Sequence, residues 1–139
     1  MSKISITGAA GFVGTNLQNY LKSSHEIVPM SVRYKPNQEF EVTADVVIHL
    51  AGKAHDLKKV SQPQDYYDAN YELTKQLFDG FINSEAKVFV FMSTVKAVAD
   101  EVKGILSEDA IPNPKTHYGI AKHQAEQYLL SHKLSEGKR

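Results

Sequence analysis

The sequence predicts an α/β fold, a doubly wound parallel sheet with helices on both faces. Three observations predict it. A glycine-rich turn, TGAAGFVG, stands between a short apolar run and a helical pattern. The β-branched and aromatic runs DVVIHL and KVFVFMS are bounded by turn residues, as strands between two helical layers require. These runs alternate with segments of helical periodicity, and that alternation gives parallel sheets.

Residues 3–7 read as the first strand. After the glycine turn a helix is expected over 12–23, with Val13, Leu17, Tyr20 and Leu21 as its buried stripe. Residues 25–30 form a second strand. Residues 33–43 are polar, contain Pro36 and Asn37, and leave room for only a brief strand over 39–42. The next strand, over 45–50, is expected to be covered on both faces. A loop over 51–62 leads to a long helix over 63–84, with Leu73, Leu77, Phe78, Phe81 and Ile82 on its inner side. Residues 87–93 form the next buried strand. A loop holding Pro112 and Pro114 then leads to a helix over 118–132. The expected strand order is 3-2-1-4-5, with ligands at the carboxyl ends of the first and fourth strands. The stretch between the second and fourth strands is too short for a full strand and helix, so one sheet face is expected to be less covered.

The chain has 139 residues, enough for one domain with a core. Sixteen basic residues balance sixteen acidic ones, which argues against nucleic acid or an anionic membrane as partner. There is no cysteine, so disulfide and thiolate chemistry is excluded, in keeping with the cytoplasm. The N-terminus lacks the apolar core of a signal peptide, and no run is long enough to span a membrane. The six histidines have no metal-ligand spacing, so no metal is expected.

The glycine turn has the strand–turn–helix context of a dinucleotide site. Gly8 would permit the tight turn, Gly11 the approach of backbone to a pyrophosphate, and Gly14 close packing of helix on strand. The pyrophosphate would sit on the helix N-terminal amides near Phe12 and Val13. No acid follows the second strand to hold an adenosine ribose. Arg33 there is either a solvent-facing side chain or the partner of a 2′-phosphate. The cofactor reading is therefore NAD or NADP, leaning to NADP. Tyr118 and Lys122 lie four apart in HYGIAK, on one face of the last helix. An ammonium beside a phenol favours the phenolate and fits Tyr118 for proton exchange with a sugar hydroxyl or ketone. Thr94 ends a strand on the ligand-binding edge, where its hydroxyl serves either as a cap or as a substrate contact. Asn70 in mid-helix costs helix propensity and marks either a special bond or a solvent-facing side chain. Lys53 and His55 belong to a polar loop that can reach substrate or cofactor. Tyr66, Tyr67 and Tyr71 read as helix packing, and Glu101 and Glu108 as a solvated loop.

The ordered set TGAAGFVG, VIHLAG, Asn70, FMSTVKAV and YGIAK resembles the extended short-chain dehydrogenase/reductase family, and within it the NAD-dependent epimerase/dehydratase branch acting on nucleotide sugars. The resemblance covers nearly the whole chain. It implies a Rossmann domain over residues 1–139, with Tyr118 as acid/base and Lys122 lowering its pKa and bonding the nicotinamide ribose. It implies that Thr94, with Ser93 just before it, holds the substrate oxygen. The backbone of Ala51 and Gly52 would line the cofactor, and Asn70 would help order the site. Relatives are expected to run to about twice this length, the remainder holding a substrate domain absent here. The implied substrates are UDP- or dTDP-linked sugars, and an uncovered edge strand favours a homo-oligomer. The alternative from another class is a non-catalytic dinucleotide sensor or interaction module of the same fold. A plain α/β domain whose motifs arose by chance is the third.

Overall fold

The computed structural model describes residues 1–54 and 61–139. Strand β1 (Lys3–Thr7) lies inside the sheet, with Ile4 and Ile6 buried on one face and Ser5 and Thr7 on the other. The chain enters α1 (Phe12–Leu21), returns as β2 (Glu26–Met30), and crosses to β3 (Val46–His49) on the far side of β1. A continuous helical stretch follows: α2 (Pro63–Tyr67), a π-helical segment (Asp68–Glu72) and α3 (Leu73–Ile82). Next come β4 (Val88–Phe91), a 3₁₀ turn (Val95–Ala97) and α4 (His117–Ser131). The four strands are parallel in the order β2-β1-β3-β4, with Thr7 opposite His49 and His49 opposite Phe91. The steps from β1 to β2 and from β3 to β4 run in opposite directions. Right-handed crossovers therefore put α1 on one face and the α2–α3 stretch on the other.

The α3 face holds the core. Val47 on β3 packs with Leu77, Phe78 and Phe81 of α3, joined by Val42 and Ala86 and flanked by Phe89, Tyr128 and Leu129. The phenol of Tyr128 on α4 donates to Asp79 Oδ1 on α3 at 2.6 Å, and burial with this carboxylate beside it pushes its pKa up to about 12. The Lys138 ammonium donates to the carbonyls of Phe81, Ser84 and Ala86 at 3.0, 2.7 and 2.6 Å. It thus ties the chain near its C-terminal end to the last turn of α3 and the turn that follows it. No helix among the described residues is long and apolar enough to cross a membrane.

Three expectations need correction. The brief strand over 39–42 does not form, so the five-strand order lacks its outer member. That segment is drawn across α3 instead: the Phe40 carbonyl lies on Gly80, Val42 enters the core, and Gln76 Nε2 holds the Lys35 carbonyl at 2.7 Å. Pro29 in β2, lacking an N–H, also suits an edge strand rather than a flanked one. The stripe assigned to the first helix is not buried as expected: Val13 is 48 % and Tyr20 80 % exposed, and only Gly14 is fully enclosed. The other helices pack together on the opposite sheet face, so the flanks of α1 have little to bury against. For the same reason the strands are not sealed on both faces. On β3, Val47 and His49 are buried while Val46 and Ile48 are half-buried, and Val90 of β4 is 42 % exposed.

Candidate active site

The turn after β1 is built from contacts that admit no side chain. Gly8 sits at φ +66°, and a Cβ there would lie 2.8 Å from the Ala51 nitrogen on the neighbouring strand exit. A Cβ on Gly14 would meet the Gly8 carbonyl at 2.3 Å, so the first turn of α1 rests directly on the loop. Gly11 is the N-cap of α1, and its amide donates to Gly8 O at 3.0 Å. Phe12 and Val13 are largely exposed, and the first turn carries no acid. Open amides at a helix start, with no acid in the first turn, suit an anion.

Gly8, Ala51, Gly52 and Arg33 line one cleft of about 500 Å³. The sequence predicts all four as cofactor contacts, and the fold brings them together. Asp65 and Asp68, from the helical stretch, line the same cleft and were not singled out in the sequence. Both are already engaged, Asp65 by the Gln62 amide at 2.9 Å and Asp68 by Gln64 Nε2 at 2.8 Å.

Asn70 does make a special bond. It is buried within the π-helical segment, where its amide donates to Lys53 O and Tyr66 O, both at 2.9 Å, and its Oδ1 accepts from Lys53 N at 3.0 Å. A π segment displaces a residue from regular helical register and often marks a functional position. Here the displaced residue clamps the loop that follows β3. His55 lies outside the described residues. Lys53 places its ammonium 5.6 Å from the Tyr66 ring centre. Sequence reasoning missed His49, Thr7 and Thr74, which are buried beside this loop. A histidine within the otherwise apolar run DVVIHL was the available signal, since a buried imidazole demands partners.

The tyrosine and lysine of α4 turn to different surroundings. Thr116 caps this helix by accepting from Gly119 N at 3.1 Å, and Asp100 braces the cap through Lys115 N at 2.6 Å and the Thr116 hydroxyl at 2.9 Å. These hydrogen bonds hold the Asp100 carboxyl below its usual pKa. Tyr118 lines a cleft of about 430 Å³ with Tyr66, Lys96, Lys115 and His117. Tyr67, expected as packing, donates to or accepts from His117 Nδ1 at 3.2 Å. Lys122 is buried, donates to Met92 O at 2.5 Å and stands 4.0 Å over the Phe91 ring. Burial lowers its pKa to about 8, with Glu126 opposing. Thr94 caps the 3₁₀ turn, accepting from Lys96 N at 3.3 Å, and Ser93 donates to Glu126 Oε1. Neither Thr94 nor Lys122 lines the Tyr118 cleft, although Thr94 lies within the 92–97 segment on which α4 rests and Lys122 bonds that segment at Met92 O.

Residues 4–138 match the model of the NAD dependent epimerase/dehydratase family. A UDP-glucose 4-epimerase of Vibrio cholerae is 31% identical over 151 residues, which cover 92% of this chain and 46% of that protein. UDP-glucuronic acid 4-epimerase from Bacillus cereus, in complex with NAD, is similar in structure, with a TM-score of 0.78 at 27% identity over 93% of this chain and 52% of the other. RMD from Pseudomonas aeruginosa, complexed with NADPH, gives a TM-score of 0.78 at 25% identity over 94% and 49%. The chain spans about half the length of the curated relatives it matches.

Proposed function

Because this chain belongs to the NAD dependent epimerase/dehydratase family, we propose that it is the cofactor-binding, proton-transferring part of a nucleotide-sugar epimerase, dehydratase or reductase. The observation that carries this is the meeting of Gly8 with Ala51, which leaves bare backbone along a cleft reaching from the glycine turn to Arg33. The donor set fits a nicotinamide dinucleotide: amides at the start of α1 for the pyrophosphate, the backbone of Ala51 and Gly52 alongside, and Arg33 for a 2′-phosphate. Arg33 makes NADP the favoured form. A nicotinamide bound there would supply hydride exchange with a sugar carbon.

Tyr118 moves the proton, giving it to a ketone oxygen or taking it from a hydroxyl. Lys122 would bond the cofactor's ribose hydroxyls: one N–H is used by Met92 O, and a lysine has two more. Thr94 orients the substrate oxygen through its hydroxyl. The substrate class, a UDP- or dTDP-linked sugar, would be gripped by a second unit of the longer protein. The likeness to relatives twice as long supports that division.

Calorimetry of NAD(H) and NADP(H) with this chain tests the cofactor claim. Binding to the parent and loss in Gly11→Asp is the expected result; a parent that binds neither dinucleotide removes the proposal. In the protein that carries this chain, Tyr118→Phe should lower turnover of a UDP- or dTDP-sugar by about 10²- to 10⁴-fold. Equal turnover would take Tyr118 out of the mechanism and favour the sensor reading.

A further inference from the structure

We propose that His49, held as the neutral Nε2–H tautomer, is a positioning residue that ties the exit of β1 to the π-helical segment and so fixes the Leu50–Lys53 backbone beside the cofactor cleft. Its relevance to a cofactor rests on the function proposed above; the tautomer and the tie do not.

The hydrogen bonds around His49 fix its proton. Thr7 Oγ1 accepts from Leu50 N and Ala51 N, each at 3.1 Å, which occupies both lone pairs. Its single proton is left for His49 Nδ1 at 2.7 Å, so Nδ1 is an acceptor. The other ring nitrogen, Nε2, then carries the hydrogen and faces Thr74 Oγ1 at 3.0 Å. Thr74 can accept there because its own proton goes to Asn70 O at 2.9 Å. Each hydroxyl proton in the relay has one acceptor; in the other tautomer Nδ1–H would face a Thr7 hydroxyl whose lone pairs are already used, and the Nε2 lone pair would face a Thr74 oxygen whose proton goes to Asn70 O.

The relay is buried throughout: Thr7 is 0 %, His49 1 %, Asn70 1 % and Thr74 1 % exposed. Burial, helped by the Lys122 charge, lowers the His49 pKa to about 3, so the ring is neutral at physiological pH. An imidazole suits this position because its acceptor and its donor sit on opposite sides of a rigid ring. One end of the relay holds the amides of Leu50 and Ala51. The other joins the segment whose Asn70 side chain clamps Lys53. The His49 carbonyl also accepts from Met92 N at 3.2 Å, and Met92 O holds Lys122. The same residue thus stands between the cofactor loop and the lysine.

Two-bond proton–nitrogen NMR of the His49 imidazole reads the tautomer directly in this chain, without cofactor. An unprotonated Nδ1 and a protonated Nε2 are expected; the Nδ1–H tautomer would overturn the proposal. Thr74→Val removes the acceptor for Nε2–H, and Thr74→Ser restores it. Amide exchange at Ala51 and Lys53 should quicken in the valine variant by about threefold to tenfold and return to the parent rate in the serine variant. Dinucleotide affinity should fall and recover in step. Unchanged exchange in Thr74→Val would sink the tie, and if that variant does not fold, the parent tautomer and the serine variant decide. Should the parent bind no dinucleotide, the proposed function fails while the tautomer and the exchange rates still judge this relay.

Discussion

At Gly14 a single hydrogen atom decides whether helix and turn can touch. The first turn of α1 lies so close to the Gly8 carbonyl that a methyl group would sit 2.3 Å from it. Both partners are backbone, so neither can rotate away. Gly14→Ala should therefore cost about 1–3 kcal/mol of stability, the range for forced overpacking, read from the denaturant midpoint. An unchanged midpoint would mean that α1 can lift off the turn. Lys122 makes a second residue-scale prediction. The unfolded chain keeps its proton to the ordinary 10.5, whereas the folded chain releases it near 8. Between those values the unfolded state binds more protons, so stability rises with pH across that window. A function that needs the ammonium changes in the opposite direction, and cofactor affinity should fall as pH passes about 8. Lys122→Met should flatten both slopes. A parent protein whose affinity is level from pH 7 to 10 would separate Lys122 from cofactor binding.

At the scale of elements, the helical stretch from α2 to α3 is interrupted where Asn70 turns inward. Its side chain replaces the partners that Lys53 and Tyr66 would otherwise lack. Asn70→Ala leaves an amide and two carbonyls without that partner, and a loss of about 1–3 kcal/mol should follow in chemical denaturation. Faster amide exchange at Lys53 should accompany it. A variant as stable as the parent would show that water or a regular helix replaces the clamp without cost. The opposite end of the site depends on the α4 cap. Asp100 and Thr116 set where that helix begins, and thereby the height at which Tyr118 enters its cleft.

Across the whole molecule the sheet is covered unevenly. Leu77, Phe78 and Phe81 seal the α3 face, while on the α1 face burial declines from Ile6, at 0 % exposed, to Val90, at 42 %. Met92 at 47 % and Leu130 at 85 % add exposed apolar surface near β4. The outer edge of β4 is met by Arg139, whose amide donates to Lys87 O and whose carbonyl accepts from Phe89 N. An exposed apolar strand near a sheet edge invites pairing between copies. Sedimentation of this chain should accordingly show concentration-dependent association that Val90→Lys weakens. A monomer at all concentrations would mean that the patch is too small or too curved to pair.

Much of the fold was legible along the chain. The glycine turn and the buried face of α3 are written in residues close in sequence, where spacing and φ limits act locally. The cleft beside the glycine turn was partly legible, because Gly8, Ala51 and Gly52 follow strands at fixed offsets. Other features depended on partners far along the chain. The 39–42 segment could not be read as a non-strand without knowing that Gly80 would receive Phe40. Tyr118 and Lys122 share a helix face by spacing, yet Met92 and Phe91 draw the ammonium inward and leave the phenol in another cleft. His49 finds Thr7 42 positions before it and Thr74 25 positions after it. Local spacing determines which element a residue joins; only the packing of distant elements determines what a buried polar group meets, because its desolvation must be balanced by whichever partners the fold brings within reach.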